Sequence, residues 1–125
     1  MSTVSVRYIV SDVDAAIAFY TEMLGFQLVM HPAPPFAILS RGDLRLLLSQ
    51  PGAGGGGQAM RDGQLPTPGG WNRFEIEVSD LTTTVEKLRA SGCRFRNDIV
   101  TGIGGMQILL EDPSGNPIEL FQSAR

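Results

Sequence analysis

Apolar residues along this chain recur with two different periods, and each change of period marks a new element. From Val4 to Asp12 (VSVRYIVSD) they alternate with polar neighbours, the period of a strand with one buried face. Past Asp12 the spacing widens. Val13, Ala16, Ile17, Tyr20 and Leu24 fall at i, i+3, i+4, i+7 and i+11, one stripe along a helix. Sixty-eight residues later the pattern returns: Asn72 to Asp80 (NRFEIEVSD) ends on the same Val-Ser-Asp. It leads into a weaker helical stripe of Leu81, Val85 and Leu88. Asp12 and Asp80 stand where a side-chain oxygen accepts the free amide protons of a helix's first turn. Gly25 and Gly92 stand where the chain leaves the helix with φ > 0.

Strand-like runs follow each of these glycines: Phe26 to Met30, Phe36 to Ser40 and Leu44 to Ser49, then Cys93 to Arg96, Met106 to Glu111 and Pro117 to Gln122. Arg41-Gly42-Asp43 and Asp112 to Asn116 (DPSGN) carry the turn residues between the last two strands of each set. Each half therefore reads βαβββ. One helix cannot cover both faces of four strands, so two such modules side by side predict an α+β fold. The expected organisation is a single domain, 1–125, with module one over about 4–50 and module two over about 71–122. Between them, residues 51–70 hold four consecutive glycines, Gly54 to Gly57, and prolines at Pro66 and Pro68. That composition reads as a linker, either a passive connector or a mobile lid.

Composition narrows the function classes. With 125 residues, 42% hydrophobic and 18% charged, the chain suits one sizeable core. A net charge of −3 offers no footprint for nucleic acid and no basic stripe for a membrane surface. The longest apolar runs are strand-sized, far short of the roughly 18 residues of a spanning helix. Met1 to Arg7 lacks the layout of a secretion signal. Cys93, the one cysteine, excludes an internal disulfide framework and a cysteine metal cluster. A cytoplasmic location is the expectation.

Val10-Ser11-Asp12, Phe19-Tyr20 and Leu24-Gly25-Phe26 (FYTEMLGF), together with Val78-Ser79-Asp80 and the terminal DPSGNPIEL (Asp112 to Leu120), carry a resemblance. The chain resembles the vicinal oxygen chelate superfamily, which includes glyoxalase I, bleomycin-resistance proteins and extradiol dioxygenases. The resemblance implies a glyoxalase-like fold, two βαβββ modules forming an open, barrel-like mixed sheet around a cleft, commonly as a homodimer. It also implies four metal-ligand positions. The first-strand positions fall on Ser5 and Arg73; with Gly42 aligned to Gly115, the last-strand positions fall on Leu46 and Glu119. Only Glu119 is a competent ligand, and arginine repels a divalent ion. No metal and no cofactor is the resulting expectation, and metal-dependent catalysis is disfavoured.

If Ser5 and Arg73 point into the cleft, strand alternation sends Arg7, Ile9, Glu75 and Glu77 the same way. Leu44, Leu46 and Leu48 with Pro117, Glu119 and Phe121 follow from the last strands. The expected cleft has a leucine wall and a charged floor. There Arg73 either pairs with Glu119 or Glu75, or meets an anionic or carbonyl-bearing ligand. Phe36 and Trp71 stand near the cleft edges as packing residues or as platforms for a planar ligand. His31 reads as exposed loop and Cys93 as a small buried residue. Candidate ligand contacts are thus Arg7, Arg73, Glu75, Glu119, Leu46, Leu48, Phe36 and Trp71, with Glu119 the candidate catalytic group. The leading expectation is a metal-free protein that binds a small molecule, possessing the means to sequester an antibiotic or other drug-like compound. The alternatives are a lyase, isomerase or dioxygenase acting on a small carbonyl or aromatic substrate, and a ligand-free dimeric scaffold.

Overall fold

The computed structural model describes residues 3–125; Met1 and Ser2, included in the single-domain and leader readings above, lie outside the described residues. It contains two helices and two mixed sheets, with no closed barrel. The chain divides into two compact units.

The first unit runs to Gly69 and also takes in the turn Pro113–Asn116. Its strands are β1 (Val4–Ile9), β2 (Gln27–Ala33), β3 (Phe36–Arg41) and β4 (Leu44–Ser49), ordered β1-β4-β3-β2 with β1 parallel to β4. Helix α1 (Val13–Leu24) starts where Asp12 accepts from the Ala15 amide at 3.1 Å and ends where Gly25 takes φ 71°. Its buried side, Val13, Ala16, Tyr20 and Leu24, covers one sheet face. That face is apolar throughout: Tyr8 and Val10, Ala37 and Leu39, Leu46 and Leu48 are all buried. Arg41 closes the far end, donating from Nε to the Leu24 carbonyl at 3.0 Å, one of the orphan acceptors of a helix terminus.

The second unit, Gly70–Asp112 with Pro117–Arg125, repeats the plan with shorter strands. Strands β5 (Glu75–Glu77), β9 (Pro117–Ser123), β8 (Gly105–Glu111) and β6 (Arg94–Phe95) lie in that order, and β7 (Val100–Thr101) also pairs with β8. Helix α2 (Leu81–Ala90) is capped by Asp80, whose carboxylate accepts from the Thr83 amide at 3.1 Å. Both Thr83 bonds, from the backbone amide first and then from the hydroxyl, pull the Asp80 carboxyl below its ordinary range. Leu81, Val85 and Leu88 bury one side of α2, and Ile76, Ile108, Leu110, Ile118 and Leu120 are buried in the same unit.

Two expectations change. His31 lies in β2, not in a loop, because that strand runs on through Pro32 to Ala33; Pro32 stands in an edge strand, where a missing amide proton costs no ladder bond. Within the 51–70 linker, residues 55–57 form a short 3₁₀ turn. Leu44, Leu46 and Leu48 sit opposite Val4, Val6 and Tyr8 in the parallel ladder, so they share the helix-covered face. The open face of that strand carries Arg45, Leu47 and Ser49 instead. No described helix is long and apolar enough to cross a membrane.

Candidate functional site

The open face of each sheet, away from its helix, holds the polar groups of interest. In the first unit Arg7, Leu47 and Ile38 form one row across β1, β4 and β3, and Ile9, Ser49 and Phe36 the next. Arg7 donates from Nη1 to the Ser49 hydroxyl at 2.8 Å, and its guanidinium carbon lies 6.0 Å from the centre of the Phe36 ring. The glycine run folds back onto this group. A Cβ placed on Gly56 would meet the Arg7 guanidinium, so the missing side chain is what lets the backbone lie against it. Next to it, a Cβ on Gly57 would strike the Gln50 carbonyl.

In the second unit, Glu75 and Glu119 are direct neighbours in the parallel β5–β9 ladder, with Ile76 and Leu120 turned to the opposite face. Arg73 donates to one oxygen of Glu119 from Nε at 3.0 Å and from Nη2 at 2.8 Å, and to the Trp71 carbonyl from Nη1 at 3.1 Å. Glu119 is buried. It shares a hydrogen bond with Glu75, and that bond is the largest influence on both groups. It raises Glu75 from 4.5 to about 7, helped by burial and by the charges of Glu119 and Glu77 against the opposing pull of Arg73. It lowers Glu119, helped by Arg73 and opposed by burial. Two carboxyl groups this close hold one proton between them over a broad pH range. The arrangement is a protonated Glu75 donating to a carboxylate that is also held by a guanidinium.

A second cluster lies beside it. Arg96 donates to Glu111 at 2.9 Å and to the Gly70 carbonyl at 2.7 Å, and stacks 4.8 Å from the centre of the Trp71 ring. Gly70, Trp71, Arg96 and Glu111 line a hollow of about 480 Å³. Another hollow of about 480 Å³ lies along Glu77, Val78, Ser79 and Gln122.

Of the sequence candidates, the structure brings Arg73, Glu75 and Glu119 into one group, with Trp71 attached through its carbonyl. Arg7 and Phe36 meet on the first sheet. Leu46 and Leu48 are fully buried on the helix side and leave the set of candidate contacts. The reason is a one-residue offset between the repeats. Aligning Gly42 with Gly115 matches Leu46 to Glu119, but the ladders match Arg7 with Leu47 where they match Glu75 with Glu119. A slip of one residue turns a side chain to the other face. Two glutamines mark the correct register: Gln50 accepts from the first amide of α1 at 3.0 Å and Gln122 from that of α2 at 2.7 Å. They follow Leu47 and Glu119 by three residues each, a signal present in the sequence. Arg96, Glu111, Ser49 and Gly56 escaped the sequence reading. Strand pairing would not have found the first two, since Arg94 is the residue opposite Glu111.

This architecture and site define a class, and the class has a family. The Glyoxalase/Bleomycin resistance protein/Dioxygenase superfamily matches residues 3–120, and the chain belongs to it. No curated protein matches the chain. Among solved structures, the chain is similar to a superfamily member from Sphaerobacter thermophilus DSM 20745, with 24% identity, 98% of each chain covered and a TM-score of 0.78. It is similar to TnmS3, an antibiotic binding protein from Streptomyces sp. CB03234, with 24% identity, 99% of this chain and 98% of that one covered, and a TM-score of 0.74. It is also similar to lactoylglutathione lyase from Agrobacterium tumefaciens, with 21% identity, 97% and 92% covered, and a TM-score of 0.73.

The superfamily implies a metal, and the donors here do not fit one. Among the described residues no three His, Cys, Asp or Glu side chains gather around a common point. Glu119, the one competent donor at the four ligand positions, accepts two bonds from a permanent cation. A divalent ion would have to displace that guanidinium and bear its repulsion.

Proposed function

We propose that this chain binds a small molecule on the open face of its second sheet, using the Arg73–Glu119–Glu75 group without a metal. The observation that carries the reading is Arg73 itself, a fixed cation hydrogen-bonded to the carboxylate that would otherwise ligate an ion. Beyond their bonds to Trp71 and Glu119, Nη1 and Nη2 of Arg73 each keep one N–H, and these suit a ligand carrying carbonyl or anionic oxygens. Arg7 and Phe36 present a similar pair of contacts on the first sheet. The antibiotic-binding function of TnmS3 makes drug-like compounds the first ligands to test. In a thermal-shift and native mass spectrometry screen of antibiotics, at least one compound binds with one-to-one stoichiometry per chain. Arg73→Met weakens that compound by about 2–5 kcal/mol. A screen with no binder supports the ligand-free scaffold instead.

We also propose a cytoplasmic homodimer as the working form. Edge strand β2 leaves Leu28, Val29 and Met30 about half exposed, an apolar edge of the kind that association covers. Light scattering at micromolar concentration gives twice the chain mass on this reading, and a clean monomer removes it.

One observation favours a second reading, catalysis. Glu75 titrates at about 7, where a general acid or base works best at neutral pH. On this reading Glu119 assists by holding the proton on its partner. Exchange of solvent deuterium into a carbonyl compound at the adjacent carbon, lost in Glu75→Gln, supports it.

A further inference from the structure

Trp71 is the one tryptophan of the chain, and it is 69% exposed. A large aromatic ring left in water is ordinarily mobile, yet this one is held from two directions. Its carbonyl accepts from Arg73 Nη1 at 3.1 Å. Its ring is backed by the Arg96 guanidinium, 4.8 Å from the ring centre. Arg96 is in turn locked by the Glu111 carboxylate and the Gly70 carbonyl, and the Arg96 and Glu111 side chains are only 17% and 24% exposed. The half-buried ion pair fixes Arg96, and with it the ring that Arg96 backs. The adjoining hollow is shallow and open to solvent, so it offers a face beside the ring rather than an enclosed cavity.

We propose that Trp71 is a stacking platform for a planar conjugated ring, with Arg96 and Glu111 as positioning residues that keep the indole in its plane. The guanidinium covers one face of the planar indole and leaves the other to an offset π-stack. Because Glu111 neutralises Arg96, flatness rather than charge selects the ligand. The inference rests on the small-molecule reading above and names the ligand class.

Fluorescence reports on Trp71 alone among tryptophans. Proflavine (planar, cationic) and alizarin (planar, uncharged or anionic) are titrated into the full chain, with maltose and cyclohexanecarboxylate as non-planar probes. Both planar probes quench saturably; the non-planar ones do not. By calorimetry Trp71→Ala weakens the planar probes about tenfold or more, while Trp71→Phe, which keeps a flat ring, stays within about threefold. The double change Arg96→Met with Glu111→Gln leaves no unpaired charge and also weakens them several-fold. Unsaturable quenching, equal binding of maltose, or unchanged affinity in Trp71→Ala overturns the platform. If Trp71→Ala is neutral while Arg73→Met abolishes binding of the same probe, the platform falls and the small-molecule reading stands. If no planar probe binds but an antibiotic does, the outcome is the same. If nothing binds, both fall.

Discussion

Glu75 holds its proton up to about pH 7 because it shares a hydrogen bond with Glu119, helped by burial and by the negative charges of Glu119 and Glu77. The consequence for stability has a definite sign. The unfolded chain releases this proton near 4.5 and the folded chain near 7, so the folded state binds more protons between those values. Stability from this group is complete below pH 4.5 and is lost as pH rises towards 7. Glu119 shifts the other way, so its contribution is lost only on the acid side. Urea unfolding from pH 4.5 to 7 is therefore expected to show a decline in wild type that Glu75→Gln flattens. Parallel slopes in the two proteins would mean that no proton is shared. Arg73 sits 28% exposed against a Glu119 side chain 12% exposed, so their pairing is screened only in part. Arg73→Met leaves an uncompensated carboxylate and is expected to cost about 1–3 kcal/mol by urea melt. Adding Glu119→Gln to it restores most of that loss if the pair acts as a unit.

Elements differ in how openly the sequence declares them. The helix starts at Asp12 and Asp80 and the exit at Gly25 follow from local hydrogen-bond chemistry, and each lies where its residue type requires. The face of β4 was not legible, because Leu46, Leu47 and Leu48 form an unbroken apolar run with no alternation to read. Only pairing with β1 decides which leucine is buried, and pairing is non-local. The two-residue strand β7 is too short to leave a pattern, and β2 outruns its prolines because only an edge strand tolerates them. In the site, Arg73, Glu75 and Glu119 were legible from the repeat, since Arg73 and Glu75 share strand parity and Glu119 ends the second module. The Arg96–Glu111 pair was not, because Arg94 lies opposite Glu111 in the ladder and Arg96 reaches it from two residues further along. Composition alone did not show that Gly56 and Gly57 permit close contacts, one with a side chain and one with backbone. The two kinds are separable by substitution. Gly57→Ala sets a Cβ against backbone and is expected to cost about 1–3 kcal/mol, whereas Gly56→Ala displaces only the end of the Arg7 side chain and costs less than about 1 kcal/mol. Chemical denaturation of both variants, in that order of severity, checks the folded turn.

At the scale of the whole molecule, the chain belongs to the Glyoxalase/Bleomycin resistance protein/Dioxygenase superfamily, and its site is arranged around a guanidinium. Zinc, nickel, manganese or iron added to the protein is expected to leave its melting temperature unchanged. A site held a hundredfold above its dissociation constant would add about 2.7 kcal/mol, several degrees for a chain of this size. A rise of that order, abolished by Glu119→Ala, would show that Arg73 yields its place. The turn Pro113–Asn116 has its own consequence. It belongs to the first unit, where the Asn116 amide donates to the Ile9 carbonyl at 2.7 Å and its oxygen accepts from the Gly69 amide at 2.7 Å. Ser114 accepts from the Ser11 amide at 2.8 Å in the same corner. Residues more than a hundred positions away thus finish the end of β1 just before α1 begins. A nascent chain leaving the ribosome has made all of β1 through β4 before it has made this turn. The first unit must therefore wait, its Ile9 carbonyl and Ser11 amide served by water, until β8 has been synthesised and Ser114 and Asn116 follow it.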